Sequence, residues 1–402
     1  MYFCGKKKEE KMIDTTLFAY MEELLRYTPM DFVRYMAGRI DWSVRMVGVV
    51  GPRGVGKSTM LLQHLKTHRE DGMRLYVSAD HSYFSNHGLA ELADDFVKEG
   101  GTHLYIDEVH KYRNWSRELK QIYDVHPDLH VFFSGSSVLD ITKGEADLSR
   151  RALMYSMQGL SFREYLEFFH QVKAGAFSLE EILSHQVELP DVPHPLPWFR
   201  AYLNRGYYPF AKESGFAIRM EQVISQTVEG DIPQFADMLA STARKLKQML
   251  SVVAMLAPYK PNADSLAAEL HVSKNNVSEY LNYLEKAGTI GQLRDDTGGM
   301  WGLGKVEKVY VDNPNLMGVL ANGHPDMGNL RETFFYNQMR VMNRVIASRE
   351  SDFVIGDYTF EIGGRKKGKK QIEHIPNGMV VRDEIEYGHG RVIPLWHFGL
   401  NY

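Results

Sequence analysis

Nine residues, Gly51-Pro52-Arg53-Gly54-Val55-Gly56-Lys57-Ser58-Thr59, fill the pattern G-x-x-x-x-G-K-[ST] without a departure. In such a loop, glycines let backbone N–H groups turn inward around the oxygens of a phosphate chain. The lysine, here Lys57, reaches the β- and γ-phosphates, and the following hydroxyl, here Ser58, is offered to Mg²⁺. The flanks have the required character: Arg45-Met46-Val47-Gly48-Val49-Val50 reads as a short buried strand, and Met60-Leu61-Leu62-Gln63-His64-Leu65 opens an amphipathic helix. Strand, glycine-rich turn and helix together predict an ATP or GTP site lined by residues 51–59.

A second group follows. Thr102 to His110 reads as an apolar strand that ends in Asp107-Glu108. An aspartate there can orient the Mg²⁺ shell, and the adjacent glutamate can polarise the attacking water. A fourth strand over Leu129–Ser137 carries Ser134, and next Ser136, where a hydroxyl can touch the γ-phosphate. The competing reading is a serine cap on a helix starting near Val138, which suits Ser136 or Ser137 better than Ser134.

These groups need elements to hold them. Residues 12–44 read as helical, Met73–Asp80 as a strand, and Asp147–Tyr155 as a helix end leading into a fifth strand. Residues 160–245 read as helical, broken at Pro190-Asp191-Val192-Pro193-His194-Pro195-Leu196-Pro197 by a loop or hinge. From Met249 the pattern becomes a helix-turn-helix. Leu266, Ala267 and Leu270 face inward on the first helix. Ser273 caps a second helix that buries Val277, Tyr280, Leu281 and Leu284. A hairpin is expected from Ile290–Arg294 and Lys305–Tyr310, joined by a turn at Asp295–Gly299, which completes a winged helix. Lys274, Asn275, Asn276 and Ser278 stand where a recognition helix meets bases, but Glu279 and Glu285 oppose phosphates.

The 402 residues suit two or three domains. The net charge of −4 gives no global pull toward nucleic acid, so DNA contact would need a local basic face. The single cysteine, Cys4, excludes an internal disulfide and suits a reducing cytosol. No apolar run approaches the roughly 20 residues that span a bilayer, and Lys6-Lys7-Lys8 lacks a signal-peptide core, so the expectation is a cytoplasmic protein without membrane contact. His103, His110, His374 and His389 lack metal-ligand spacing and read as surface or packing residues.

The order of the phosphate loop, Ile106-Asp107-Glu108, Phe133-Ser134-Gly135-Ser136, Leu148-Ser149-Arg150-Arg151 and Leu160-Ser161-Phe162-Arg163-Glu164-Tyr165 is similar to that of prokaryotic AAA-superfamily ATPases. More narrowly, it resembles the group with a C-terminal domain of unknown function and nuclease-like fold. Arg205-Gly206-Tyr207-Tyr208-Pro209-Phe210 resembles a recurring loop of that group, and aromatic packing under a turn accounts for it. The resemblance implies an α/β fold: a P-loop parallel sheet with helices on both faces, then a helical lid and winged helix, then an α/β nuclease-like domain. The expected boundaries are 1–160, 161–248, 249–325 and 326–402. The resemblance prefers ATP to GTP, and no Asn-Lys-x-Asp guanine-reading motif is present. It also implies that Arg150 or Arg151 reaches a neighbouring subunit's γ-phosphate, and hence a ring or dimer; otherwise each arginine is a surface ion pair.

The tail is similar to the PD-(D/E)XK nuclease fold, in which three acids and a Glu-x-Lys unit hold Mg²⁺. Glu332, Asp352 and Glu361 match the acids, but Gly363 stands where the lysine belongs. Lys366 or Lys367 could swing in, while Arg365–Lys370 reads as a basic loop for phosphates or a solvated turn. A nuclease-like fold without catalysis is expected. Three functions stay open: a Mg²⁺-dependent ATPase coupled to DNA, a slow nucleotide-gated switch acting on a protein partner in regulation or defence, and an ATP-controlled nuclease.

Overall fold

Five parallel strands carry the phosphate loop: β1 (Met46–Gly51), β2 (Met73–Ser78), β3 (Gly101–Asp107), β4 (His130–Ser136) and β5 (Leu153–Ser156), in the order β2-β3-β4-β1-β5. The computed structural model describes residues 14–68, 72–136, 148–236, 238–256, 258, 260, 263–297, 304–368 and 370–402. Within them the chain forms two compact units, Met1–Gly51 with Gly56–Met157, and Pro52–Val55 with Gln158–Tyr402. Among the described residues no helix is long and apolar enough to cross a membrane.

In the first unit β1 is buried along its whole length, which is why its sequence is a continuous apolar run rather than an alternating one. Helices α1 (Thr15–Tyr27), α2 (Lys57–Thr67), α3 (Leu89–Lys98) and α4 (Trp115–Val125) accompany the sheet. Leu89, Leu92, Ala93 and Phe96 of α3 and Trp115, Leu119 and Ile122 of α4 share one core with Leu75, Leu104, Ile106, Val131 and Phe133. The helix expected over 12–44 is shorter. Asp14 caps it by accepting from the Thr16 N–H, and it stops at Tyr27 because Thr28 precedes Pro29 and takes an extended conformation (φ −68°, ψ 115°). The helix expected near Val138, and Ser137 with it, lies outside the described residues.

The second unit opens with helix α5 (Phe162–His170), whose capping box joins Ser161 and Glu164. The long helical stretch resolves into α6 (Leu179–Leu183), α7 (Leu196–Arg205), α8 (Phe216–Ser225), a π-helical turn (Gln226–Asp231), α9 (Ile232–Ala236) and α10 (Ala240–Leu256). The proline-rich stretch ends as the start of α7, with proline in its first turn, where a missing N–H costs nothing. Tyr207 and Tyr208 are buried, as a packed aromatic turn requires.

Helices α11 (Ala263–Glu269) and α12 (Lys274–Lys286) stand where a helix-turn-helix is expected. Ser273 caps α12 through the Asn276 N–H, and Leu266, Ala267, Val277, Tyr280, Leu281 and Leu284 are buried. Strands β6 (Ile290–Arg294) and β7 (Val306–Val311) pair antiparallel. After α13 (Pro314–Leu320), helix α14 (Met327–Met339) packs on a second sheet of order β12-β11-β10-β9-β8: β8 (Val345–Ala347), β9 (Phe353–Ile355), β10 (Tyr358–Gly363), β11 (Gly378–Arg382) and β12 (Val392–Pro394). Phe335 of α14 meets Phe353, Phe360 and Phe398 there.

One buried histidine gives the first unit a pH dependence. His64 stacks on Trp42 with ring centres 3.8 Å apart and bonds the Tyr105 hydroxyl at 2.7 Å. Burial, then the neighbouring His68, Arg74 and His103, push its pKa down to about 3, so it is neutral when folded. The unfolded chain takes up this proton near pH 6.5. Stability present above that pH is therefore lost as the pH falls toward 3. We expect the thermal midpoint to fall from pH 7 to pH 5, and His64→Gln to show a shallower fall. Equal slopes would contradict the assignment.

Candidate functional site

β1 delivers the loop at the carboxyl end of the sheet, beside β4 on one side and β5 on the other. A Cβ on Gly51 would collide with the Met157 carbonyl oxygen, so only glycine fits. Gly54 (φ 77°) and Gly56 (φ 98°) are left-handed, a conformation that glycine adopts without strain. Lys57, the first residue of α2, is 4% exposed, and its Nζ donates to the Gly51 carbonyl at 2.8 Å. Ser58 and Thr59 are partly buried on the same first turn.

The other loop residues do different work. Val55 is fully buried, so it offers its backbone N–H rather than its side chain, while Pro52 is buried and has no N–H to donate. In the second unit Arg53 makes a bidentate pair with Asp231, at 2.6 and 2.8 Å. The Phe210 ring lies where a Cβ on Gly54 would stand.

Asp107 ends β3 almost fully buried. Its Oδ2 accepts from the Tyr76 hydroxyl at 2.9 Å, and its Oδ1 accepts from the Ser134 hydroxyl. Burial, then the Asp107 charge, push the Tyr76 pKa far up, so this phenol stays a donor. Ser134 is fully buried with its hydroxyl on Asp107, and the Glu108 N–H reaches that same oxygen at 3.4 Å. As placed, Ser134 orients the two acids rather than facing outward.

Glu108 breaks the strand, which was expected to run on to His110, by taking a left-handed conformation (φ 52°) that non-glycine residues hold only under surrounding constraint. His110 lies 3.3 Å from the Glu108 carboxylate through Nε2, while its Nδ1 accepts from the Ser136 N–H at 3.1 Å. An accepting Nδ1 puts the imidazole proton on Nε2, facing Glu108. Sequence reading took His110 for a packing or surface residue; the spacing Asp-Glu-x-His at a strand end was the available signal. Tyr76 carried no local signal at all.

The two arginines part company. Arg151 donates from Nε and Nη2 to Asp124 at 2.8 and 3.0 Å, whereas Arg150 is exposed without a partner among the described residues. In the tail, Glu332 and Asp352 both contact Lys308, and Glu361 pairs with Lys367. Among the described residues no three His, Cys, Asp or Glu side chains are grouped to hold a metal. For Mg²⁺ at the phosphate loop that is no obstacle, because this ion takes one or two protein oxygens plus phosphates and waters, and Ser58 and Asp107 are such oxygens.

The steric constraint at Gly51 yields a direct expectation. Gly51→Ala must displace the Met157 backbone, which should cost about 1–3 kcal/mol of stability and weaken nucleotide binding at least tenfold. Denaturant titration and equilibrium ATP binding check both. A variant with wild-type values in both would show that this contact does not set the loop.

Residues 43–166 match the model of an AAA domain, and residues 196–323 match a domain of unknown function, DUF8612. Over 261 residues the chain is 24% identical to the uncharacterized protein MJ1637 of Methanocaldococcus jannaschii, a match covering 60% of this chain and 55% of that one. Among solved structures it is similar to AMPPCP-bound DnaA from Aquifex aeolicus, at 12% identity over 71% of this chain and 90% of that one. It is also similar to C. elegans PCH-2, at 15% identity over 70% of each chain. Both have a TM-score of 0.25, a value from which nothing about activity or partners transfers. The phosphate loop, its glycine geometry and the sheet order all fall within the matched stretch, so residues 43–166 form an AAA-type P-loop domain.

Proposed function

We propose that this protein hydrolyses ATP with Mg²⁺. The observation that carries the reading is one sheet that holds a buried Lys57 after β1 and the Asp107-Glu108 pair at the end of β3. Lys57 leaves the Gly51 carbonyl for the β- and γ-phosphates, whose charge replaces that weak partner with a strong one. Ser58 and Asp107 would hold Mg²⁺, which when bound neutralises charge on the phosphate oxygens. Tyr76 and Ser134 fix the Asp107 carboxylate, so it meets the ion in one orientation. Glu108 accepts a proton from the attacking water, and His110 positions that carboxylate. Arg150 is the better candidate to act on a neighbouring copy, because Asp124 already holds Arg151.

DNA is the first partner to test. Lys274, Asn275 and Ser278 are exposed on the first turn of α12, and Arg365, Lys366 and Lys370 are exposed in the tail loop. Against this, Asp264 pairs with Lys274 and Glu285 with Arg294, so much of the local positive charge is already neutralised. That balance favours the slower switch acting on a protein partner more than composition alone did.

Steady-state hydrolysis with and without DNA tests the reading. Glu108→Gln should lower turnover about 10²-fold or more with ATP binding retained, and His110→Ala should lower it less, about tenfold. Turnover that rises severalfold with DNA supports DNA engagement; a slow rate indifferent to DNA supports the switch. Wild-type turnover in Glu108→Gln would remove Glu108 from its assigned role.

A further inference from the structure

Three acids in the tail match a metal-binding pattern, and a metal-dependent nuclease would need them open to a divalent cation. They are not open. Lys308, on β7, places its Nζ 3.2 Å from Glu332 Oε2 and 3.1 Å from Asp352 Oδ1. The Tyr310 hydroxyl donates to that same Glu332 oxygen at 2.8 Å, and the Ile362 N–H donates to Asp352 Oδ2 at 2.9 Å. Glu361 accepts from the Ser351 hydroxyl at 2.6 Å and pairs with Lys367 through its other oxygen. A Cβ on Gly363 would collide with the Lys367 side chain, so the residue that replaced the expected lysine makes room for another lysine's stem.

The chemistry of exchange is unfavourable. A divalent oxygen-seeking ion needs about six close oxygen ligands, and it would claim the two oxygens that the ammonium already bridges. An ammonium and a dication cannot share that space. Lys308 is also tethered on a strand whose neighbours Val309 and Tyr310 are fully buried, which keeps its local concentration high.

We propose that Lys308 is the built-in cation of the tail. It takes the place between Glu332 and Asp352 that a divalent metal would hold, leaving a metal-independent module that does not cleave nucleic acid. The same ammonium ties the β6–β7 hairpin to α14 and the start of β9. Arg340 to Asp312, and the Tyr336 hydroxyl to the Gln292 carbonyl at 3.0 Å, are parallel ties. Hairpin and tail sheet then move as one body.

The test is Mn²⁺ titration of the nucleotide-free full chain by calorimetry, comparing wild type, Glu332→Gln, Lys308→Met and the double variant. Wild type should show no Mn²⁺ binding that Glu332→Gln removes. Lys308→Met should have a lower thermal midpoint and gain an Mn²⁺ site, with the midpoint recovering on addition of the ion; adding Glu332→Gln should abolish that gain. If Lys308→Met does not fold, Lys308→Gln, whose neutral amide a dication can displace, replaces it. The proposal is overturned if wild type binds Mn²⁺ in a way lost in Glu332→Gln. It is equally overturned if wild type nicks plasmid with Mg²⁺ in a way that variant abolishes, or if a folded Lys308 variant gains no Mn²⁺ site.

Discussion

The Met157 carbonyl oxygen fills the place where a Cβ on Gly51 would stand, and the phosphate loop depends on that close approach. Met157 also donates its N–H to the Val50 carbonyl at 2.7 Å, so the end of β5 grips the end of β1 from the side. The chain leaving β1 must turn at a fixed point, through two left-handed glycines, before α2 begins at Lys57. A glycine at each of these places removes a steric cost rather than adding an attraction. The ammonium of Lys57 then closes the loop on the Gly51 carbonyl, so the charge proposed to bind phosphate rests inside the loop itself.

A chain of hydrogen bonds crosses the ends of three strands and gives the acids their orientation. It runs from Tyr76 on β2 to Asp107 on β3, to Ser134 on β4, to the Glu108 N–H; beside it Ser136 of β4 holds His110 against Glu108. Each member is oriented by a neighbour that local sequence does not adjoin. Such networks are worth more than single pairs, because a carboxylate with both oxygens committed cannot rotate freely.

That distinction decides what the sequence could tell. The loop, Asp107, Glu108 and the Ser273 cap were legible because each is a local pattern whose chemistry needs only neighbours in the chain. Tyr76 was not, because parallel pairing of β2 and β3 creates its contact with Asp107; for His110 only the bond from Ser136 depends on β4, while Glu108 lies two residues away in the chain. The first helix ends at Tyr27, well short of the expected 44, because Thr28 precedes Pro29. In the tail the three acids and the missing lysine at Gly363 were visible, and Lys367 was one of two substitutes considered. Lys308 was invisible: it arrives from a hairpin that sequence reading assigned to a different domain.

Every role proposed for the site depends on the loop binding nucleotide phosphates through Lys57. The most direct measurement is an equilibrium titration of the purified chain with Mg²⁺-ATP, wild type against Lys57→Ala, with circular dichroism to confirm that the variant folds. We predict saturable one-site binding by wild type and at least a tenfold loss in the variant, since a buried charge-assisted contact to phosphate is worth more than about 1.4 kcal/mol. Equal affinities in two folded proteins would contradict the central claim.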